Sequence, residues 1–168
     1  MPDRWYLFDK QGDTLEIFIS GEIDDKQSVC FLDELRDNLP AKEISLRLNS
    51  TGGDVYTGVA IYNRLSALSR DGVKIRARVE GIAASIASII AMSADEITIP
   101  ESSFMMVHEP IGDDERLVSI FKDTFVRIIA NRTGRSREEV ATLLQNGTWM
   151  SGREAVWEKL CDSVADPS

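Results

Sequence analysis

Hydrophobic and polar positions alternate twice near the start of the chain. Trp5 to Phe8 and Leu15 to Ile19 therefore read as two short strands, joined by a turn at Gln11-Gly12-Asp13. Ser20-Gly21 ends the second strand, and the period then changes. Val29, Leu32, Leu35 and Leu39 recur at helical spacing, with Asp24 or Asp25 placed to cap the helix and Pro40 to stop it. Alternation returns at Ile44 to Leu48, with Ile44, Leu46 and Leu48 on one side and Ser45 and Arg47 on the other. A loop of turn residues, Asn49-Ser50-Thr51-Gly52-Gly53-Asp54, leads into a helix with Val55, Val59, Tyr62, Leu65 and Leu68 on one face. Asp71-Gly72 breaks that helix, and Val73 to Val79 is the next strand. Small residues at 81–85 then open an Ala/Ile-rich run to Met92 with almost no polar surface, which predicts a buried helix. Glu96 to Ile99 and Phe104 to Val107 are two more strands, split by Pro100-Glu101-Ser102-Ser103.

The last third reads as helical. Asp114 to about Asn131 carries Leu117, Ile120, Phe121, Phe125, Ile128 and Ile129, and Thr133-Gly134-Arg135 closes it. Ser136 with Glu139, and Ser151 with Glu154, are capping boxes that open two short helices. Their apolar sides are Val140, Leu143 and Leu144, then Ala155, Val156 and Leu160. Asn146-Gly147 is a turn between them, and Asp166-Pro167-Ser168 reads as a frayed end.

Strand and helix alternate through the first two thirds, so the chain is predicted to be α/β with a mainly parallel sheet and helices over its faces. In such sheets the binding sites form where strands end at their carboxyl edge. Three loops answer that description: 49–54, 81–85 and 108–112. They hold Gly52-Gly53, Ser85 and the chain's one histidine, His108, on a common edge.

Composition narrows the function. A chain of 168 residues, 43% hydrophobic, fits one domain with a substantial core. A net charge of −9 and the lack of a basic stripe argue against nucleic acid as partner. Cys30 and Cys161 lie far apart without ligand spacing, so no metal site is expected, and free thiols fit a reducing compartment. Met-Pro-Asp-Arg-Trp is no signal peptide and the apolar run at 82–92 is too short to span a membrane. A soluble, cytoplasmic protein is expected.

Ser85 sits where a strand hands over to a buried helix. Unpaired N–H groups and the positive end of the helix dipole collect there, which suits a hydroxyl that becomes an anionic adduct. A serine needs a base to take its proton, and His108 is the side chain fitted to that role. The backbone N–H groups of Gly53 and Ile86 are candidate oxyanion donors. Nothing in the pattern supplies a third group to orient the imidazole. Taken singly, Ser85 reads sooner as a small turn residue, His108 as a strand-end histidine and Gly52-Gly53 as a plain loop. Their conjunction is what points to nucleophilic catalysis.

Four ordered stretches, Asn49-Ser50-Thr51-Gly52-Gly53-Asp54-Val55 with Gly58, Ile61 and Tyr62, Gly81-Ile82-Ala83-Ala84-Ser85, Pro100 with Met105-Met106-Val107-His108-Glu109-Pro110, and Trp149-Met150-Ser151 with Glu154-Ala155 and Cys161-Asp162-Ser163-Val164, resemble the Clp protease proteolytic subunit (ClpP) family over nearly the whole chain. The Gly-Gly-Asp-Val, Thr-Gly-Arg-Ser-Arg-Glu-Glu and Thr-Trp-Met-Ser stretches look closest to ClpP-like head maturation proteases of phages and prophages. The resemblance implies a crotonase-like (ClpP-like) fold across residues 1–168, a serine endopeptidase without metal or organic cofactor, and a homo-oligomeric ring acting on polypeptides. It maps the nucleophile to Ser85, the base to His108 and the oxyanion hole to Gly53 and Ile86. Substrate would lie as an added strand between Gly52, Gly53, Asp54 and Val55 on one side and Glu109, Pro110 and Ile111 on the other.

Three departures bear on activity. The family's triad aspartate falls on Gly147, so the third member is missing, or Asn146 or another carboxylate replaces it. The handle-like helical segment, about 111–133, is shortened, which favours single rings or smaller oligomers. Little chain precedes Trp5, which argues against docking to a Clp-type ATPase. A weak or inactive scaffold subunit is the main alternative. A crotonase-type enzyme of CoA thioesters would want acid/base carboxylates at the site, and a serine–lysine peptidase would want a lysine on the site loops.

Overall fold

The computed structural model describes residues 4–165. The expected frayed end at Asp166-Pro167-Ser168 lies outside them. Two strands open the chain, β1 (Tyr6–Gln11) and β2 (Thr14–Ile23), paired antiparallel across the Gly12 turn. Helix α1 (Ser28–Asp37), strand β3 (Glu43–Gly53), helix α2 (Val55–Arg70) and strand β4 (Lys74–Ala84) follow. Then come helix α3 (Ile86–Ala91) and strands β5 (Glu96–Pro100) and β6 (Phe104–Val107). The last third holds α4 (Glu115–Thr133), α5 (Arg137–Gln145), β7 (Thr148–Ser151), α6 (Gly152–Trp157) and β8 (Ser163–Ala165).

The sheet runs β1-β2-β3-β4-β5-β8, with β6 branching from β4 and β7 from β6. Every pairing from β2 to β5 is parallel, as are β4–β6 and β5–β8, while β6–β7 is antiparallel. Strand β4 divides its length between two neighbours. Arg76 to Arg78 pair with β5, and Ile82 to Ala84 pair with β6. That division carries β6, and the histidine after it, to the carboxyl edge.

Alternate residues of β2, β3 and β4 (Leu15, Ile17, Ile44, Leu46, Ile75, Ala77) are buried against Phe31 and Leu35 of α1, Ile61 and Leu65 of α2 and the whole of α3. The opposite set is part-exposed and satisfied by ion pairs across the strands. Arg47 Nε donates to Glu80 Oε1 at 2.6 Å and its other arm reaches Glu16, while Arg76 pairs with Glu43 and Glu96. The expectation of helices over both faces holds for the apolar face, and cross-strand charge fills the other.

Several elements differ from the sequence expectation. Strand β3 runs through the supposed loop to Gly53, because Glu22 and Ile23 of β2 extend the ladder to Gly52 and Gly53 past a register shift. Strand β4 likewise continues to Ala84, held by Ser50 on one side and β6 on the other. Helix α1 starts at Ser28 without a side-chain cap, since Asp24 Oδ1 is taken by Gln27 N–H at 3.1 Å and Trp5 Nε1 at 3.3 Å. Its buried face is Phe31 and Leu35, with Phe31 stacked on Trp5, and Val29 faces solvent. The C-terminal third is not wholly helical, as β7 and β8 add to the sheet. Both capping boxes are formed as read.

Candidate active site

Strands β3, β4 and β6 are parallel, so Gly53, Ala84 and Val107 end at one edge of the sheet. Ser85 is the single residue between β4 and α3, with φ 57° and ψ −129°. A non-glycine residue in that region costs on the order of 1–3 kcal/mol and needs surrounding structure to hold it. Ser85 N–H donates to Met106 O at 2.9 Å, which ties the turn to β6. Ser85 O accepts from Ser88 N–H at 3.0 Å and from the buried Ser88 hydroxyl at 2.6 Å. The strained turn thus exposes Oγ while its backbone is fixed on both sides.

His108 is the first residue beyond β6. Its Nε2 lies 2.8 Å from Ser85 Oγ. For Nε2 to accept the serine proton, Nδ1 must carry the ring's hydrogen. No hydrogen bond or ion pair meets Nδ1 among the described residues. Asn146 does not join the pair. It is exposed at the C-cap of α5, its N–H donates to Thr142 O, and no hydrogen bond links its side chain to His108. The last pair of the β6–β7 ladder is Val107 with Thr148, and the next residue on either strand is His108 or Gly147. Among the described residues no carboxylate pairs with the ring.

Gly52 on β3 and Ile86 at the start of α3 flank Ser85. A Cβ on Gly52, which has φ 98°, would stand 2.8 Å from Ala84 O and from Ser85 Cβ, so only glycine lets β3 pass this close to Ser85. The buried Ser50 shapes the bend, donating to Gly21 O at 2.6 Å and accepting Gly52 N–H at 3.1 Å. Gly53 follows, and Asp54 caps α2 by accepting Thr57 N–H at 2.7 Å. Ile86 opens α3, where helix geometry leaves its N–H without an intrahelical partner. A groove of about 290 Å³ continues from there between the start of α2 and the start of α4, lined by Asp54, Val55, Tyr56, Ile111, Leu117 and Phe121. The expected substrate residues Asp54, Val55 and Ile111 are on its walls. Glu109 and the buried Pro110 lie between His108 and that groove. No cluster of side chains fit to hold a metal occurs among the described residues, nor is any helix there long and apolar enough to cross a membrane.

Sequence reasoning brought Ser85, His108, Gly52, Gly53 and Ile86 to one place and missed Ser88. A hydroxyl three residues after the serine, in an otherwise apolar helix, was the available sign.

The Clp protease family, described as Clp protease, matches residues 4–168. The chain belongs to the Clp protease family. An ATP-dependent Clp protease proteolytic subunit from Bacteroides fragilis is 29% identical over 167 residues, covering 88% of this chain and 77% of the relative. One from Porphyromonas gingivalis is 28% identical over 169 residues, covering 89% and 73%. Solved structures of ClpP1 from Listeria monocytogenes superpose with a TM-score of 0.80 at 21% identity, covering 91% of this chain and 92% of that one. An asparagine-to-aspartate mutant of that ClpP1 gives 0.81 at 21% identity, covering 90% and 91%. The fold is therefore ClpP-like. The narrower likeness to phage head maturation proteases rests on the motifs quoted above alone.

Proposed function

We propose that this Clp-family chain is a ClpP-like serine endopeptidase with Ser85 as nucleophile and His108 as general base. The 2.8 Å contact between Nε2 and Oγ carries the reading. In the first step Nε2 takes the serine proton as Oγ bonds to the scissile carbonyl carbon, and the carbonyl oxygen takes up the negative charge. The N–H groups of Gly53 and Ile86 donate to that charge. His108 then gives the proton to the leaving amine, the C–N bond breaks and an acyl-Ser85 remains. A water molecule, deprotonated by the same imidazole, releases the acid and restores the serine. Polypeptide lies as an added strand between Gly52–Val55 and Glu109–Ile111, and main-chain pairing of that kind tolerates many sequences. The family resemblance supports a homo-oligomer in the cytoplasm.

The open Nδ1 favours a second reading, a subunit of low or no activity. Loss of the triad aspartate costs about four orders of magnitude in turnover in the serine-protease template. A fluorophosphonate probe separates the two readings. The peptidase predicts a single adduct on Ser85, lost in Ser85→Ala and slowed in His108→Ala. A folded protein that takes no adduct after prolonged exposure would overturn the peptidase in favour of the scaffold.

A further inference from the structure

His108 lies on a segment whose outer end is tied to two helices. The next residue, Glu109, donates its backbone N–H to Leu144 O in the last turn of α5 at 3.1 Å. Its carboxylate pairs with Lys122 Nζ on α4. Glu109 Oε1 is shut off from solvent and accepts no hydrogen bond, so the Lys122 ammonium meets its charge as an ion pair alone. Among the described residues the imidazole itself is held at one nitrogen only. A ring anchored at a single atom keeps its aim only if the backbone beneath it is fixed.

We propose that the Glu109–Lys122 pair is the positioning device for His108, acting through the backbone where no third side chain among the described residues reaches Nδ1. The inference rests on the Ser85–His108 peptidase reading for its kinetic consequence. It couples the base to α4, whose first turns carry the exposed Leu117 and Ile120. Displacement of α4 would then loosen the aim of the imidazole without touching either reacting atom. Lys122 and Glu109 side chains are 40% and 36% exposed, and a pair so placed is screened, which limits the kinetic effect to about fivefold.

The test uses the full chain with isotope-labelled histidine. His108 is the one histidine present, so the ring spectrum is unambiguous. Lys122→Met keeps the aliphatic stem and removes the charge. Expected are fluorophosphonate acylation slowed about threefold to fivefold and ring signals that broaden or show a changed tautomer balance, at a thermal midpoint close to the parent's. The exchanged pair Glu109→Lys with Lys122→Glu should return both readouts towards the parent. A Lys122→Met ring spectrum identical to the parent's overturns the proposal. So does an exchanged pair that stays as slow and as broadened as Lys122→Met at an unchanged midpoint. If the parent never labels at Ser85, the peptidase reading falls, and the ring spectrum still decides whether the pair positions the imidazole.

Discussion

An aspartate in place of Gly147 puts a carboxylate one residue beyond Thr148, opposite the end of β6 that delivers His108. There is room for it, since a Cβ at this position would meet nothing within 4 Å. The backbone there has φ 60°, in the left-handed region. Aspartate enters that region more readily than most residues, at a cost of about 1 kcal/mol, or a few degrees of thermal midpoint in a domain of this size. Against that cost stands the orientation and charge compensation of the imidazolium. In the serine-protease template the third group is worth about 10⁴ in turnover, or about 5.5 kcal/mol at 1.36 kcal/mol per tenfold. A newly placed carboxylate will not reach the geometry of an evolved one. A gain of about tenfold to a hundredfold, or roughly 1.4–2.7 kcal/mol, is the expected share. The assay is the second-order rate of fluorophosphonate acylation at Ser85, with turnover of a fluorogenic peptide beside it. Gly147→Ala carries the backbone strain without a polar group and should be no faster than the parent. Gly147→Asn should fall between, since an amide orients the ring but leaves its charge uncompensated. A Gly147→Asp protein that is folded yet no faster than Gly147→Ala would refute the reasoning. It would mean that Nδ1 does not face residue 147, or that ring orientation does not limit acylation.

Three other outcomes follow from packing and charge. A Cβ on Gly58 would lie 2.0 Å from Ile86 Cγ1, so Gly58→Ala should overpack α2 against α3 by about 1–3 kcal/mol and slow acylation too; a thermal midpoint within a degree of the parent's would contradict it. Asp95 is pushed up by partial burial, but the Ser69 hydroxyl at 2.6 Å, Ile75 N–H at 2.8 Å and the Lys74 ammonium outweigh that and hold it below the usual carboxylate range. Its contribution is therefore present above the unfolded value and lost as pH falls through the folded one. Asp95→Asn should lower stability near neutrality by about 1 kcal/mol, with the two thermal midpoints converging on acidification; a gap that stays constant into acid would refute this. Burial pushes the Cys161 thiol up to about 12, while Cys30 is exposed, so native protein should take one maleimide, on Cys30; a second adduct before unfolding would contradict the packing around Cys161.

What could be read from the chain divides along a physical line. Parallel strands joined through helices must end at a common edge, so the meeting of the Gly52-Gly53, Ser85 and His108 loops followed from element order alone. Strand ends did not, because β3 and β4 continue past Leu48 and Val79 through residues that carry no alternation. They are strands because Ile23, Ser50 and Met105 offer ladder partners from distant parts of the chain. The same holds for β7, four residues long, which is a strand because β6 presents an edge to it. Asp24 shows the converse, a good capping residue diverted by the Trp5 indole.

The site divides in the same way. The residue types that perform chemistry are few, and one serine and one histidine at strand ends stood out. The residues that aim them work through backbone atoms, as Ser88 does on Ser85 O and Leu144 O does on Glu109 N–H, and such contacts leave no pattern in sequence. Gly147 is the instructive case. Its glycine reads as a turn residue by local rules, while the β6–β7 register sets it opposite the end of β6 from which His108 leaves. An imidazole held at one nitrogen has fewer constraints on its orientation than one held at two. Such a base is slower unless its backbone is pinned, and the ties from α4 and α5 to Glu109 are placed to pin it. If the Gly147→Asp carboxylate takes over the orienting task, the Lys122→Met effect should shrink in that background. Equal slowing with and without the aspartate would mean that the two devices do not act on the same motion of the ring.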